Sequence, residues 1–360
     1  MKDLLMFRNR RGARLAVALV SVLLTGTIAA CGSGSGTPAP SASGAAPASS
    51  SAGAFPVTIE HKYGSTTVEA EPQRIVTVGL TDQDAVLALG KVPVGTTEWI
   101  GGYPGAVGPW ASGKLGGAAP PTVLKDTGTG PQPEKIAALA PDLILAVYSG
   151  LTKDQYDTLS KIAPVVAQPK EFTDWGVPWE KQTETIGKVL GKEAEAKTVV
   201  ESVLAKFAAV KEQNPEFAGA TGLVATPYEG IFVYGPQDNR SRILTSIGFT
   251  LPPDLQKAVG DEFGANISKE RTDLLDVGAL VWIVADPVAD AAKLRQEKLY
   301  GDLKVVTEGR DVYVKETGDY GNALSFVSPL SLPYTLDRLV PQLAAAVDGD
   351  PATEIPQPTG

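Results

Sequence analysis

The sequence predicts an α/β protein built from two lobes, and three observations support this prediction. Short apolar runs typical of buried strands alternate with helical periodicity from 74 to 168, and again from 221 to 315. A segment without strand character, 178–217, separates the two series. The span from 55 to 348 is too long for one typical core and suits two domains. Such alternation favours open, largely parallel sheets with helices on their faces.

The first lobe is predicted over 55–177. It begins with a hairpin that turns at Tyr63-Gly64-Ser65. A strand at 74–80 leads into a helix at 81–90, with Thr81 as its N-cap and Gly90 as its stop. The elements expected after it are, in order, a short strand at 91–95, a helix from Pro133, a strand at 142–147, a helix from 152 and a strand ending at 168.

A helical connector is predicted over 178–214, because its apolar residues recur at helical spacing from Val199 to Val210. The second lobe, 215–348, resumes the alternation. Its expected strands are "TGLVAT" (221–226), "GIFVYG" (230–235), "ALVWIVAD" (279–286), "LKVV" (303–306) and "DVYVK" (311–315), with helices at 241–248 and 330–347. The proline-rich tail, 349–360, is expected to fray.

The first 30 residues have the order of a signal peptide. Five basic residues precede the apolar run 15–24, and small residues lead to "IAAC", which holds Cys31, the sole cysteine of the chain. This motif looks like a bacterial lipobox, so we expect cleavage before Cys31 and lipidation of its sulfur. An incidental buried cysteine is the alternative. Residues 32–54 carry no charge and no large apolar side chain, which predicts a flexible stalk and a membrane-anchored protein facing outward.

The charge of the chain argues against nucleic acid as a partner. Residues 1–30 carry five Lys or Arg and one Asp, so the remaining chain has 27 basic and 40 acidic residues and a formal charge of −13. A nucleic-acid-binding surface is instead rich in Lys and Arg. We therefore expect no nucleic acid among the partners of this protein.

Two glutamates occupy similar local contexts in the two halves. Glu134 and Glu270 are each followed by a basic residue and lie just before a buried strand, 136 residues apart. One interpretation is that both lobes present a glutamate at an equivalent corner. The other is that acids are simply common at helix N-termini, where the macrodipole favours them.

Several segments in a fixed order resemble those of iron-siderophore substrate-binding lipoproteins of ABC importers, including actinobacterial members. They are "EPQRIVTVGLTDQDAVLALGKVPVG" (71–95), "PEKIAALAPDLIL" (133–145), "IGKVLGKEAEA" (186–196), "SRILTSIGF" (241–249), "ISKERTDLLDVGALVWIV" (267–284) and "ALSFVSPLSLPYTLDRLVPQL" (323–343). The resemblance implies two Rossmann-like lobes joined by a long rigid backbone helix, the class III periplasmic-binding-protein type. It implies a monomer that carries a ferric siderophore as its transported ligand, uses no cofactor, and docks on the permease through Glu134 and Glu270.

Ligand-binding residues are predicted from chemistry and position. Arginines suit polarised oxygen ligands around iron, and aromatic rings stack on catechol, hydroxyphenyl or porphyrin faces. The candidates, all in or beside strand-end loops, are Trp99, Tyr148, Trp175, Tyr228, Tyr234, Arg240 and Arg242. Packing under a loop is the alternative for each aromatic residue, and a solvated surface pair is the alternative for the arginines. Trp282 and Trp179 are assigned to the core and to the start of the connector.

Other functions stay open at this point. Heme or cobalamin could be the ligand of the same type of importer. A direct metal site is disfavoured because the lone histidine, His61, lies in the first hairpin, where a solvated or capping role is expected. A tethered hydrolase using paired acids is a rival, but no P-loop, dinucleotide fingerprint or G-x-S-x-G elbow occurs. A structural or adhesive surface lipoprotein is a third class.

Overall fold

Two five-stranded sheets organise the part of the chain that the computed structural model describes, residues 54–99, 102–125 and 130–358. The predicted signal peptide, Cys31 and the stalk up to residue 53 lie outside these residues. The strands are β1 (Val57–His61), β2 (Gly64–Val68), β3 (Ile75–Thr77), β4 (Gly95–Thr97), β5 (Thr122–Leu124), β6 (Leu143–Ala146), β7 (Val165–Ala167), β8 (Gly222–Thr226), β9 (Ile231–Tyr234), β10 (Gly264–Ile267), β11 (Ala279–Val284) and β12 (Asp311–Lys315).

The two sheets have the same strand order. The N-terminal sheet runs β5-β4-β3-β6-β7 with every pair parallel. The C-terminal sheet runs β10-β9-β8-β11-β12, in which β9 is antiparallel to both β8 and β10 while the other pairs are parallel. Strands β1 and β2 form the predicted hairpin as a separate antiparallel pair. The predicted α/β class with mostly parallel sheets is confirmed.

Helices connect and cover the strands. They are α1 (Asp82–Ala88), α2 (Pro133–Ala138), α3 (Lys153–Leu159), α4 (Trp179–Val189), α5 (Glu193–Gln213), α6 (Asn239–Ser246), α7 (Leu255–Val259), α8 (Pro287–Gln296), α9 (Lys298–Gly301), α10 (Lys304–Thr307), α11 (Asp319–Ser325) and α12 (Ser331–Ala346). Among the described residues, none of the helices is long and apolar enough to cross a membrane.

Each sheet is buried on both faces, as near-continuous apolar strands require. In β6, Ile144 packs into one core while Leu143 and Leu145 pack into another on the opposite face. The C-terminal sheet divides in the same way, with Val281 in one core and Trp282 in the other. Trp282 is fully buried, so its assignment to the core is correct.

The connector consists of two helices, so the single helix predicted over 178–214 is wrong in its continuity. α4 ends at Val189 and α5 begins at Glu193, with Gly191 between them at φ 66°. This left-handed conformation interrupts a helix and costs glycine little. α5 then spans both lobes, because Ala196 packs into an N-terminal core and Phe207 packs into a C-terminal core.

Three local predictions are also corrected. Residues 304–307 form helix α10 rather than a strand, since a short apolar run does not distinguish the two states. The short strand expected at 91–95 lies at Gly95–Thr97. The tail does not fray over its described part: Ile355 packs against the C-terminal core, and the Gln342 side chain donates to the Pro356 carbonyl at 2.9 Å.

The lone histidine is buried instead of solvated. His61 is 2% exposed, and its Nε2 lies 2.9 Å from the Thr66 hydroxyl. Its Nδ1 accepts the Tyr63 backbone N–H at 3.2 Å, so the expected capping role is present in the hairpin turn. Across the described residues, no three His, Cys, Asp or Glu side chains gather as a metal site would require.

Candidate functional site

A loop of the C-terminal lobe meets loops that follow the parallel strands β6 and β7, and the carboxyl ends of such strands are where open α/β sheets bind ligands. Tyr148 follows β6 and Trp175 lies in the loop after β7. On the other lobe, the loop after β9 leads into the N-terminus of α6. We define the inter-lobe site by six residues: Tyr148, Trp175, Tyr234, Asp238, Arg240 and Arg242.

Asp238 and Arg240 form a buried ion pair within this site. The Arg240 Nε donates to Asp238 Oδ1 at 2.8 Å, and its Nη2 donates to Oδ2 at 2.7 Å. The Asp238 side chain is fully buried, whereas Arg240 keeps 15% of its side-chain surface. Burial alone would lower the pKa of Arg240, but the Asp238 carboxylate outweighs it and raises that pKa. Arg240 therefore stays charged and fixed in direction.

The aromatic ring of Tyr234 packs against the guanidinium of Arg240. The Arg240 Cζ lies 3.8 Å from the centroid of the Tyr234 ring, within cation–π range. Tyr234 is 8% exposed at the end of β9, and burial raises the pKa of its hydroxyl. Asp238 is also the N-cap of α6, because its side chain accepts the Arg240 backbone N–H. The helix start, the ion pair and the ring thus hold one cation in place.

Tyr148 and Trp175 supply the opposite, N-terminal wall. Their ring centroids are 5.5 Å apart at an interplanar angle of 75°, an edge-to-face pair. Burial raises the pKa of Tyr148, and the Asp238 charge across the lobes adds to this effect. Trp175 has φ 66°, a left-handed conformation that bulky residues rarely adopt. Strain of this kind is concentrated at ligand-binding and switch regions.

Arg242 joins the two lobes directly. Its Nη1 donates to the Gly176 carbonyl at 2.8 Å, and Asn239 donates from Nδ2 to the Val177 carbonyl at 3.0 Å. A hydrogen bond between Thr173 and Gln237 side chains, 3.1 Å long, lies beside them. Burial lowers the pKa of Arg242. The loop that carries Trp175 is therefore fastened to the start of α6.

A second set of contacts between the lobes is mainly aromatic. We call it the aromatic bridge; its members are Trp99, Tyr103, Trp110, Phe326 and Tyr334. The Trp99 ring lies 4.7 Å from Phe326, and Trp110 lies 5.8 Å from Tyr334, measured between centroids. The Tyr103 hydroxyl donates to Asp319 Oδ1 at 2.5 Å. Burial, and to a smaller extent the hydrogen bond to Asp319, raise the pKa of Tyr103 to about 12.

Helix α1 contributes two buried carboxylates, Asp82 and Asp84, close to the contacts between the lobes. Asp84 accepts the Trp110 indole N–H at 2.8 Å and the Ser328 hydroxyl of the other lobe at 2.6 Å. Asp82 accepts the backbone N–H of Val147 at 2.8 Å and a bond from the Gln182 amide at 2.6 Å. Desolvation raises the pKa of each carboxyl to about 6. Asp84 thus ties the aromatic bridge to the C-terminal lobe.

A cavity of about 160 Å³ adjoins the aromatic bridge. Trp99 and Tyr103 line it together with the side chains of Glu98 and Lys125, which are 3.8 Å apart. Trp99 itself is 8% exposed and donates its indole N–H to the Ala106 carbonyl at 2.7 Å. Its immediate surroundings thus combine an aromatic and polar wall of the N-terminal lobe with Phe326 of the C-terminal lobe.

The structure brings five of the predicted ligand residues together: Tyr148, Trp175, Tyr234, Arg240 and Arg242. Trp99 lies in the aromatic bridge instead. Tyr228 lies half-buried in the loop between β8 and β9, and among the described contacts none joins it to the inter-lobe site. Its role as a ligand contact stays a prediction.

Sequence reasoning missed Asp238 and most of the aromatic bridge. Asp238 lies two residues before Arg240, a spacing that local ion pairing could have suggested. Tyr103 lies in the same loop as Trp99, but its partner Asp319 is 216 residues away. Contacts at that separation have no local sequence signal, so only the folded chain reveals them.

The two glutamates proposed as docking residues occupy matching positions. Glu134 lies in the first turn of α2, and Glu270 lies in the first turn of a 3₁₀ helix at Lys269–Leu275. Both are exposed, and each lies nine residues before the first residue of the following strand, β6 or β11. These two strands hold the same place in their sheets. The predicted equivalence of position is present in the fold.

Chemically, the inter-lobe site offers one fixed guanidinium, a second guanidinium at its edge and large aromatic surfaces. The guanidinium of Arg240 has more N–H groups than the two it gives to Asp238. Such donors suit an oxygen-rich ligand, and the rings of Tyr148 and Trp175 suit its apolar or planar parts. The site therefore fits binding by contacts from two lobes at once.

Comparisons with known proteins agree with this architecture. The putative ABC transporter substrate-binding lipoprotein YhfQ of Bacillus subtilis is 30% identical over 243 residues, 65% of this chain and 66% of its own length. The Fe(3+) dicitrate-binding periplasmic protein FecB of Escherichia coli is 28% identical over 206 residues, 55% of this chain and 63% of its own. The match thus spans just under two thirds of each of these relatives.

Solved structures match over more of their length. The Streptococcus pneumoniae protein PiaA in complex with ferrichrome has a TM-score of 0.73 and 27% identity, covering 82% of this chain and 99% of that one. A periplasmic solute binding protein from Mycobacterium smegmatis has a TM-score of 0.70 and 35% identity, covering 81% and 98%. The model of the family described as "Periplasmic binding protein" matches residues 75–315. The chain belongs to this periplasmic binding protein family.

Proposed function

We propose that this protein captures a ferric siderophore outside the cell membrane and delivers it to an ABC permease for iron uptake. The observation that carries the proposal is the inter-lobe site, where Tyr148 and Trp175 of one lobe face Arg240 and Arg242 of the other. The relatives named for ferric dicitrate and ferrichrome support a ferric complex as the ligand. The family is one of binding proteins, which favours transport over catalysis.

Binding requires no chemical step. A ligand held between two lobes brings together side chains that neither lobe presents alone, and its affinity reflects contacts to both. Arg240 donates hydrogen bonds to ligand oxygens, and Tyr148 and Trp175 cover the ligand with rigid aromatic surface. We infer that Arg242 and Asn239 set the distance between the walls through their bonds to Gly176 and Val177.

Delivery is proposed to use the two exposed glutamates. Glu134 and Glu270 lie at equivalent positions in the two lobes, so one copy of this protein offers two acids to a permease with two subunits. Arginine side chains are their expected partners, because carboxylate–guanidinium pairs combine charge with direction. Lipidation of Cys31 is proposed to keep the protein at the membrane, and its replacement by alanine should release the protein.

The ligand is tested by titration of the purified protein, followed by tryptophan fluorescence. The panel contains ferric hydroxamate, catecholate and salicylate-type siderophores, with heme, cobalamin and free ferric iron beside them. We expect saturable quenching by a ferric siderophore, weakened about tenfold or more by Arg240→Ala. Binding of heme or cobalamin alone would replace the cargo, whereas failure of the whole panel, checked by calorimetry, would contradict the proposed function.

Docking is tested by iron uptake in cells that depend on this protein. The double variant Glu134→Ala with Glu270→Ala should lose uptake and keep ligand affinity. Glu216→Ala is a matched control, since Glu216 is also exposed in the first turn of a short helix and, like Glu134, follows a proline. Unimpaired uptake in the double variant, or weaker ligand binding, would contradict the docking assignment.

A further inference from the structure

The most buried cation of the inter-lobe site, Arg240, is already paired with an acid. Arg240 is paired through two hydrogen bonds with Asp238, whose side chain has no exposed surface. A bidentate pair of this kind satisfies the guanidinium charge while leaving some N–H groups to donate. The pair therefore adds hydrogen-bond donors to the site with no net charge.

Arg242 is likewise engaged in contacts with other residues of the protein. Its Nη1 donates to the Gly176 carbonyl at 2.8 Å and lies 3.3 Å from the Asn239 side-chain oxygen. The half-buried Glu180 carboxylate interacts with it electrostatically. The charge of Arg242 thus faces the lobe contact and an acid of α4.

The remaining walls add more acid than base. Glu316 acts electrostatically on Tyr234, and Asp319 acts on both Tyr103 and Tyr334. Arg338 lies over the Tyr334 ring, 3.4 Å from its centroid. In the described part of the chain, the charges acting on the tyrosines and arginines of these walls are three guanidinium groups and four carboxylates. They are Arg240, Arg242 and Arg338 against Glu180, Asp238, Glu316 and Asp319.

We propose that the site selects ferric complexes without net negative charge, the ferric hydroxamate class, over anionic catecholate and citrate complexes. This inference rests on the proposed function. Three hydroxamate groups that each lose one proton balance the three positive charges of ferric iron. Their complex therefore enters the site with no net charge. An anionic complex would lose hydration beside these carboxylates, and the guanidinium that acts on Tyr148 from the α6 start, Arg240, is already paired with Asp238. Selectivity then comes from rejection of the anion as much as from attraction of the neutral ligand.

The test compares three probes on the purified protein by calorimetry: ferrichrome as a neutral trihydroxamate, ferric enterobactin as an anionic catecholate, and ferric dicitrate. We expect ferrichrome to bind at least about tenfold more tightly than either anion. Its affinity should change less than about twofold between about 20 mM and about 500 mM NaCl, since no net charge is neutralised. An anion that binds as tightly as ferrichrome would overturn the charge inference and leave the proposed function intact. Failure of all three probes would count against the proposed function itself.

Variants test the origin of the selectivity. Asp238→Asn keeps a good N-cap residue and leaves Arg240 without its counter-charge, so the affinity ratio of anionic to neutral probe should rise about tenfold. Asp311→Asn is the matched control, because Asp311 pairs with Arg295 within the C-terminal lobe. If Asp238→Asn does not fold, Glu180→Gln on α4 should shift the ratio in the same direction. An unchanged ratio in a folded variant would overturn the inference.

Discussion

Two arginine–aspartate–tyrosine groups of the C-terminal lobe use the same chemistry in different places. At the inter-lobe site, Arg240 pairs with Asp238 and lies 3.8 Å from the Tyr234 ring centroid. Within the lobe, Arg295 pairs with Asp311 at 2.6 Å and lies 5.5 Å from the Tyr313 ring centroid. Both aspartates are fully buried in their side chains.

The surroundings of the two groups differ. Asp311 also accepts the hydroxyls of Tyr300 at 3.0 Å and Tyr313 at 2.8 Å, and all of these residues belong to one lobe. Asp311 is the first residue of β12. Arg240 and Asp238 instead act across the lobes on Tyr148. The comparison teaches that the ion pair alone does not mark a site; the contact with a second lobe does.

Neutralising each pair should separate the two roles and have the largest effect. We expect Asp238→Asn with Arg240→Gln to weaken ferric siderophore binding about 100-fold, because the fixed donors facing Tyr148 are lost. The matched pair Asp311→Asn with Arg295→Gln should leave affinity unchanged and lower thermal stability, because the hydroxyls of Tyr300 and Tyr313 lose a charged acceptor. Calorimetric titration and thermal unfolding measure both. Equal loss of affinity in both double variants would contradict the comparison.

Asp84 shows what a buried carboxylate does without an arginine partner. Its pKa of about 6 lies above the usual value, so between about pH 4 and pH 6 the folded state holds more protons than the unfolded state. The free energy of unfolding therefore falls as the pH rises through this window, and the loss is complete above it. Asp84→Asn should raise stability at pH 7.5 by on the order of 2 kcal/mol and give no gain at pH 4.

Denaturant unfolding of wild type and variant across this pH range measures the effect. Asp82→Asn is the informative comparison, because Asp82 has the same raised pKa but accepts backbone N–H groups from Val147 and Tyr148. The side-chain amide of the Asp82→Asn variant has a single oxygen and cannot accept hydrogen bonds at both positions, so we expect no gain in stability from this substitution. A parallel pH dependence in wild type and Asp84→Asn would contradict the assignment.

Backbone strain offers a smaller test. Trp175, a member of the inter-lobe site, has φ 66°, whereas none of Arg295, Asp311 and Tyr313 has a positive φ. Trp175→Ala and Trp175→Gly should weaken ligand binding equally, because both remove the ring. The glycine variant should be more stable than the alanine variant by about 1 kcal/mol, since glycine adopts this conformation without strain. Equal stability of the two variants would show that the conformation carries no strain.

Much of the fold could be predicted because its signals are local. The strand–helix alternation, the hairpin turn and the position of α12 all follow from patterns within about 20 residues. The break at Gly191 and the helix at 304–307 could not, since short apolar runs and single glycines fit more than one structure. Helix α5 lies between the predicted lobes, 55–177 and 215–348, and packs into the cores of both, which no local pattern shows.

The candidate site was predicted only in part, for the same reason. Arg240, Tyr148 and Trp175 follow strands, and that position is visible in the sequence. Asp238, the partner of Arg240, lies two residues away, but many acids lie that close to a base without pairing. The aromatic bridge joins residues more than 200 positions apart and depends on how the lobes meet. Chemistry of single residues was therefore predictable, but the charge balance of the site was not.

The most direct test of the account is a crystal structure of the protein with a ferric hydroxamate bound. The account predicts the ligand between the lobes, with Arg240 donating to its oxygen atoms and Tyr148 or Trp175 packed against it from the other lobe. A ligand bound to one lobe alone, or outside the inter-lobe site, would contradict it.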